Sequence, residues 1–384
     1  MGLTREEIAS RGHPIWAEID LDAIRHNIGR LRERARGAEV MGVVKGYAYG
    51  HGNPESAVAM LEGGATRLGV ARVAEGLHLR DAGVTAPIHV FTEPPHEAAP
   101  TMVANDLIAT IYTEPFARAL SEAAAAQGST VPVHVKLDTG MHRVGLPADE
   151  VPDAVAIIRA LPGLAIEGAW SHLAVADIPE HPFTTKQLDL FNDLVGKIER
   201  SGVELRYRHL ANSAATIAQP ETHFDLVRCG IASYGLWPSE AFVGTIDLRP
   251  AMALRARVGM VKTVPEGEAL SYGLQYELER TARVLTITAG YADGYDRRLS
   301  GIGDVLLRGS RFHVSGTVCM DQFMVDVGAT DVEVGEIATL IGADGDARVT
   351  AEELAVLIGT INYEVTARVP SRVPRIYLGL GDGA

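Results

Sequence analysis

The sequence predicts an α/β chain, with an N-terminal TIM-like (β/α)8 barrel over residues 1–240 and a mostly β C-terminal domain over residues 241–384. Three observations predict it. Short apolar runs alternate with helically periodic segments from about residue 17 to 236, unusual polar residues fall just after those runs, and after Pro238 the texture shifts to β-branched stretches between Gly-rich turns. On periodicity alone, a doubly wound open sheet is the alternative to the barrel.

Taken in order, Leu21, Ile24, Ile28 and Leu31 recur at helical spacing, and the first strand candidate follows at residues 41–44. Further candidates are 68–71, 88–91, 108–111, 133–137, 165–169, 207–210 and 224–227, eight in all. Thr113-Glu114-Pro115 opens a helix that Gly128 closes, and residues 187–198 place Leu188, Phe191, Leu194 and Ile198 on one helical face. Beyond Pro238, residues 251–264, 281–288, 305–307, 314–319, 323–327 and 337–341 read as strands. One helix interrupts them, opened by Thr350 with Glu353 three positions on.

Composition narrows the function. At 384 residues, 47% hydrophobic and 22% charged, the chain can build two substantial cores. A net charge of −14 with no basic patch argues against nucleic acid or an anionic membrane as partner. Cys229 and Cys319 form no CxxC, which predicts neither a disulfide framework nor a zinc site; no metal is expected. The first residues carry acid and no apolar targeting core, and no run reaches about 18 apolar residues, so a cytoplasmic protein without a membrane span is expected. GxxxxGK[ST], HExxH and GxSxG are all missing.

The chemistry concentrates at strand ends. In Val43-Val44-Lys45-Gly46-Tyr47-Ala48-Tyr49-Gly50-His51-Gly52, an apolar strand stops at a lysine, where partial burial would lower the amine pKa toward nucleophilic, Schiff-base use. Asp138 to Arg143 follow strand five, Ser171-His172 end strand six, Asn212-Ser213 follow strand seven, and Arg228-Cys229-Gly230 follow strand eight. Active sites of barrels lie at these ends, with phosphate bound after strands seven and eight. Ser213 and the Gly230-Ile231 turn could cradle a phosphate, and a Schiff-base lysine facing it points to pyridoxal 5′-phosphate.

These segments, together with Lys136-Leu137-Asp138-Thr139-Gly140-Met141, Ser271-Tyr272-Gly273, Gly290-Tyr291-Ala292-Asp293-Gly294, Val318-Cys319-Met320-Asp321-Gln322 and Ile361-Asn362-Tyr363-Glu364, resemble the alanine racemases, fold-type III pyridoxal phosphate enzymes, over nearly the whole chain. The resemblance implies that Lys45 carries the cofactor and that Tyr49, Asn212, Ser213, Gly230, Ile231 and Tyr363 help to bind it. Arg228 would face the pyridine nitrogen, and His172 would lie along the ring and bond toward Arg228. Arg143, oriented by Lys136, a carbamylation candidate, would serve the substrate carboxylate. Met320 and Tyr291 would contact substrate, and Tyr272 would reach the partner subunit's site, which makes the working unit a homodimer. The implied activity is interconversion of L- and D-alanine by two bases, Lys45 and Tyr272, for cell-wall synthesis; a serine or broad-specificity racemase is the alternative. Arg228 argues against a decarboxylase of the same fold type, and the second domain argues against a non-catalytic cofactor carrier. Two departures, Gly46-Tyr47 after the lysine and His142 before Arg143, bear on substrate breadth.

Overall fold

The computed structural model describes residues 4–380, which divide into two compact units. One comprises residues 24–48 and 53–249; the other comprises 4–23, 49–52 and 250–380. Against the expected boundary at 240, residues 4–23 therefore group with the C-terminal part of the chain. The reason is a strand, Ile15–Asp20, that pairs antiparallel with Met252–Val264 and parallel with Arg375–Leu378.

The first unit contains the eight expected parallel strands: Glu39–Val43, Arg67–Val70, Ile88–Val90, Leu107–Ile111, Val131–Lys136, Leu164–Trp170, Tyr207–His209 and Leu226–Cys229. Glu39–Val43 pairs on one side with Arg67–Val70 and on the other with Leu226–Cys229, which curls the sheet into a nearly closed barrel and disposes of the open-sheet alternative. Between Tyr207–His209 and Leu226–Cys229, the seam is held by Asp225 N–H to Arg208 O (3.2 Å) and Arg228 N–H to Ala211 O (3.0 Å). Strand residues are buried on both faces because helices cover the outside and side chains fill the inside, hence the near-continuous apolar runs in sequence. The helix Glu114–Ala126 starts at Thr113, whose hydroxyl accepts the Phe116 N–H, and Pro182–Arg200 buries Gln187, Phe191, Leu194 and Ile198. Deep in the barrel Gly168 is required, since a Cβ there would lie 2.6 Å from His134 Nδ1.

In the second unit, the described residues form a nine-stranded sheet with Met252–Val264 at its centre and Ala351–Ile358 as the predicted helix, capped by Thr350 Oγ1 accepting from Glu353 N–H. The expected strand at 314–319 is absent: only Val314 makes an isolated bridge, and residues 315–319 are irregular, with Ser315 Oγ donating to His313 O (3.1 Å) and Thr317 O accepting from Ser271 Oγ (2.7 Å). The neighbouring Ser310–His313 is the strand instead, in a hairpin with Asp304–Leu307. Among the described residues no helix is long and apolar enough to cross a membrane.

Candidate active site

Lys45 lies two residues beyond its strand and begins a left-handed turn: Gly46, Tyr47 and Ala48 have φ/ψ of 63°/43°, 56°/47° and 54°/49°. L-residues avoid this conformation at about 1–2 kcal/mol each, so Gly46 is apt, and the turn needs outside support. Burial, then the nearby charge of Arg143, lowers the Lys45 pKa, while Glu75 opposes them. Its Nζ has no hydrogen-bond acceptor among the described residues, which leaves it available for covalent chemistry.

Arg228 sits at the centre of the rim, 4% exposed. Its Nη1 donates to His209 O (2.8 Å) and Nδ1 (3.2 Å), and Nη2 to Ser171 O (2.7 Å), Leu210 O (3.0 Å) and His172 Nδ1 (3.3 Å). Nε finds no acceptor among the described residues. Burial lowers the guanidinium to about 9, still protonated at neutral pH. Because arginine can only donate, both histidines accept through Nδ1 and, when neutral, carry their proton on Nε2. His209 Nε2–H then donates to His134 Nδ1 (2.8 Å), and His134 Nε2–H donates to Glu167 (3.3 Å). Burial drives His172 and His209 well below the ordinary histidine range and lowers His134, in keeping with neutral rings. His89, His134 and His209 have metal-ligating nitrogens within 4.8 Å of one another. A metal on His209 Nε2 would displace the proton that the Arg228 contact places there, so the cluster is better described as a directed hydrogen-bond chain.

Lys136 is buried with Nζ donating to Leu137 O (3.0 Å), and burial pulls its pKa to about 7. It and Arg228 lie over the Trp170 ring, at 4.7 and 4.9 Å. Arg143 and His142 are exposed at the rim. His142, in the left-handed region with φ 55°, is tied to Asp138 through both its N–H (3.0 Å) and its ring (2.9 Å), which accounts for a residue other than glycine there. Ser213 Oγ accepts the N–H groups of Gly230 (2.9 Å) and Ala232 (3.4 Å), so its own hydrogen is left to donate beside Ile231. Asn212 uses Oδ1 to cap the turn, accepting from Ala215 N–H, so at most its amide NH2 remains for a ligand. The buried Cys229 thiol is pushed up to about 12 and is no nucleophile at neutral pH.

The second unit holds the remaining predicted residues. Tyr49 and Tyr363 have ring centroids 6.1 Å apart. Thr317 Oγ1 holds the Tyr272 carbonyl (2.9 Å), while the residue is 74% exposed; Met320, 54% exposed, and Tyr291 join it around an open recess of about 590 Å³ with Arg297, Cys319 and Gln322.

The barrel rim fits pyridoxal phosphate on its own geometry: an uncommitted lysine amine, an arginine with one spare N–H suited to a pyridine nitrogen, and a serine hydroxyl hydrogen free for a phosphate. A family model described as alanine racemase, N-terminal domain, matches residues 19–238, and one described as alanine racemase, C-terminal domain, matches 251–377. The chain belongs to the alanine racemase family. An alanine racemase of Methanococcus maripaludis is 44% identical over 370 residues, covering 95% of this chain and 99% of its own. The crystal structure of alanine racemase from D-cycloserine-producing Streptomyces lavendulae superposes with a TM-score of 0.91 at 42% identity, covering 96% of this chain and 97% of that one. A histidine racemase from Leuconostoc mesenteroides has a TM-score of 0.88 at 29% identity, covering 96% and 99%.

Sequence reasoning missed the residues behind the rim of this family member. Gln187 takes Ala174 N–H on Oε1 and donates to His172 O (3.0 Å) and Thr139 Oγ1 (3.1 Å). A glutamine beside the apolar face of a helix was the available signal. Glu75, His134, His209 and Glu167 gave none, since each sits in an unremarkable local pattern.

Proposed function

We propose that this chain is a pyridoxal phosphate-dependent alanine racemase, a cytoplasmic homodimer that supplies D-alanine for cell-wall synthesis. The observation that carries the reading is the rim itself, where, among the described residues, the partly buried Lys45 Nζ and the buried Arg228 Nε have no protein acceptor. When bound, pyridoxal phosphate supplies an aldehyde for the substrate amine and delocalises the electron pair left as the Cα–H bond breaks. Lys45 would anchor it and hold a proton on one face of the substrate, where its lowered pKa favours the neutral amine that a base requires. Arg228 Nε–H would donate to the pyridine nitrogen, keeping that nitrogen unprotonated. Ser213 would donate to the phosphate, with Tyr49, Tyr363, Asn212 and the Gly230-Ile231 backbone around it.

On the other face, Tyr272 of the partner subunit would move the proton. A tyrosine base must first lose its own proton, near pH 10 in the free amino acid, and His172 Nε2–H is a donor that favours the ionised oxygen. Arg143 would bind the substrate carboxylate, with Met320 and Tyr291 of the partner subunit beside the substrate side chain. Lys136, with a pKa near 7, is neutral often enough to react with carbon dioxide, and its carbamate would then orient Arg143. The exposed ring of Tyr272 supports a shared site, because an aromatic base is of no use facing bulk water.

A chiral assay of the purified protein against a panel of L-amino acids tests the reading. Alanine should racemise fastest. The open recess, the histidine racemase of the same fold, and Tyr47 and His142 at the rim favour a broader racemase as the second reading, which equal rates with serine would establish. Borohydride reduction should fix the cofactor to the peptide bearing Lys45; label on another lysine overturns the assignment.

A further inference from the structure

We propose that Glu75 is a positioning residue for Lys45: its carboxylate clamps the left-handed turn that presents the amine. Glu75 lies at the third position of the helix Val73–Asp81. Its Oε2 accepts the N–H groups of Ala71 (2.8 Å) and Arg72 (3.0 Å), the usual reach of an N3 glutamate back to the start of its own helix. Oε1 faces the other way and accepts the Gly46 N–H at 2.6 Å. One rigid carboxylate thus joins the start of a helix to the residue directly after the lysine, 29 positions earlier in the chain.

The turn is where such a tie matters. Gly46, Tyr47 and Ala48 all hold left-handed backbone angles, and Tyr49 continues them with φ 53°. A run of this kind is unfavourable for L-residues, and its first N–H points away from any right-handed helical partner. Releasing that N–H would let the segment relax toward ordinary backbone and swing the Lys45 side chain. Charge supports the same role: Arg143 and Arg228 push the proton off Lys45, and Glu75 is the carboxylate that pulls the other way.

The competing account is that Glu75 only caps its helix. Glu75→Gln separates the two, because glutamine also completes a capping box but has one oxygen, so its NH2 would meet the Gly46 N–H donor to donor. In Glu75→Gln, hydrogen exchange of the peptide spanning residues 44–50 should quicken at least about tenfold while that of 73–81 stays unchanged. The circular dichroism of the bound cofactor near the visible edge should shrink, and kcat should fall about 10- to 100-fold with little change in KM. Glu75→Ala should show the same changes together with faster exchange in 73–81. Parent-like exchange at 44–50 in Glu75→Gln overturns the proposal, as does a parent-like cofactor signal. The kinetic arm rests on the racemase reading; the exchange arm does not, so a protein that racemises nothing would sink that reading and leave the clamp to be decided by exchange alone.

Discussion

Arg228 in the barrel is 4% exposed and has both Nη nitrogens bonded to protein, whereas Tyr272 in the C-terminal unit is 74% exposed, with its backbone carbonyl alone held among the described residues. Each is proposed to serve the same reaction. The contrast teaches that the chain builds the two halves of its proposed chemistry differently: the barrel fixes charges and tautomers internally, and the aromatic face presents the proposed base, whose surroundings would come from the proposed second copy.

The sharpest way to break that comparison is complementation. Lys45→Ala and Tyr272→Phe should each lose racemisation by at least about 10³-fold, since each removes one of the two proposed proton-handling groups. Mixing the two inactive proteins and allowing subunits to exchange should restore activity, because the hybrid dimer has one site with both groups and one with neither. No recovery despite demonstrated hybrids would place Tyr272 in its own subunit's site.

Next in size is Arg228→Leu. It leaves three buried carbonyls and two imidazole nitrogens without their donor, and should cost about 3–5 kcal/mol in denaturant unfolding as well as activity. A comparable loss of stability from Tyr272→Phe would erase the distinction between the two regions.

A titration sharpens it further. His89, His134, His172 and His209 have folded pKa values depressed by burial, so below about pH 6.5 the unfolded chain binds protons that the folded one refuses. Their contribution is full above pH 6.5 and declines as pH falls from there. Stability should drop steadily between pH 7 and 5, and hydrogen exchange should show the loss in the barrel strands first. The depressed Lys136 acts in the same sense at higher pH, favouring the folded state as pH rises from about 7. A flat profile would mean that the histidines are already charged.

The smallest effect belongs to His142→Gly. Relief of the left-handed backbone and loss of the Asp138 contact oppose each other, so stability should stay within about 1 kcal/mol and alanine turnover within about twofold. A large gain in turnover of bulkier amino acids would instead make His142 a specificity gate.

The barrel strands were legible because a strand buried on both faces is a short apolar run, and Lys45, His172 and Arg228 stood out by terminating such runs. Tyr272 owed its assignment to motif resemblance, since nothing in local periodicity marks a solvent-facing tyrosine. The 314–319 strand failed because Ser315 bonds its side chain to the nearby His313 carbonyl and Thr317 bonds its own to the Tyr272 carbonyl, 45 positions earlier, neither of which alternation can report. Glu75 and the histidine chain were hidden for a different reason: their partners are neighbours only in the closed barrel, so no window of sequence contains them together.

The strand Ile15–Asp20 lies between Met252–Val264 and Arg375–Leu378, so its hydrogen-bonding neighbours emerge from the ribosome long after it does. At ~5–20 residues per second the interval is roughly 10–50 s, during which all eight barrel strands become available to fold. For that time an apolar strand has two unpaired edges in a crowded cell. Synthesis of this protein is therefore a stage at which a holding chaperone would matter most, and a stall between residues 230 and 250 should yield a foldable barrel trailing a segment prone to aggregate.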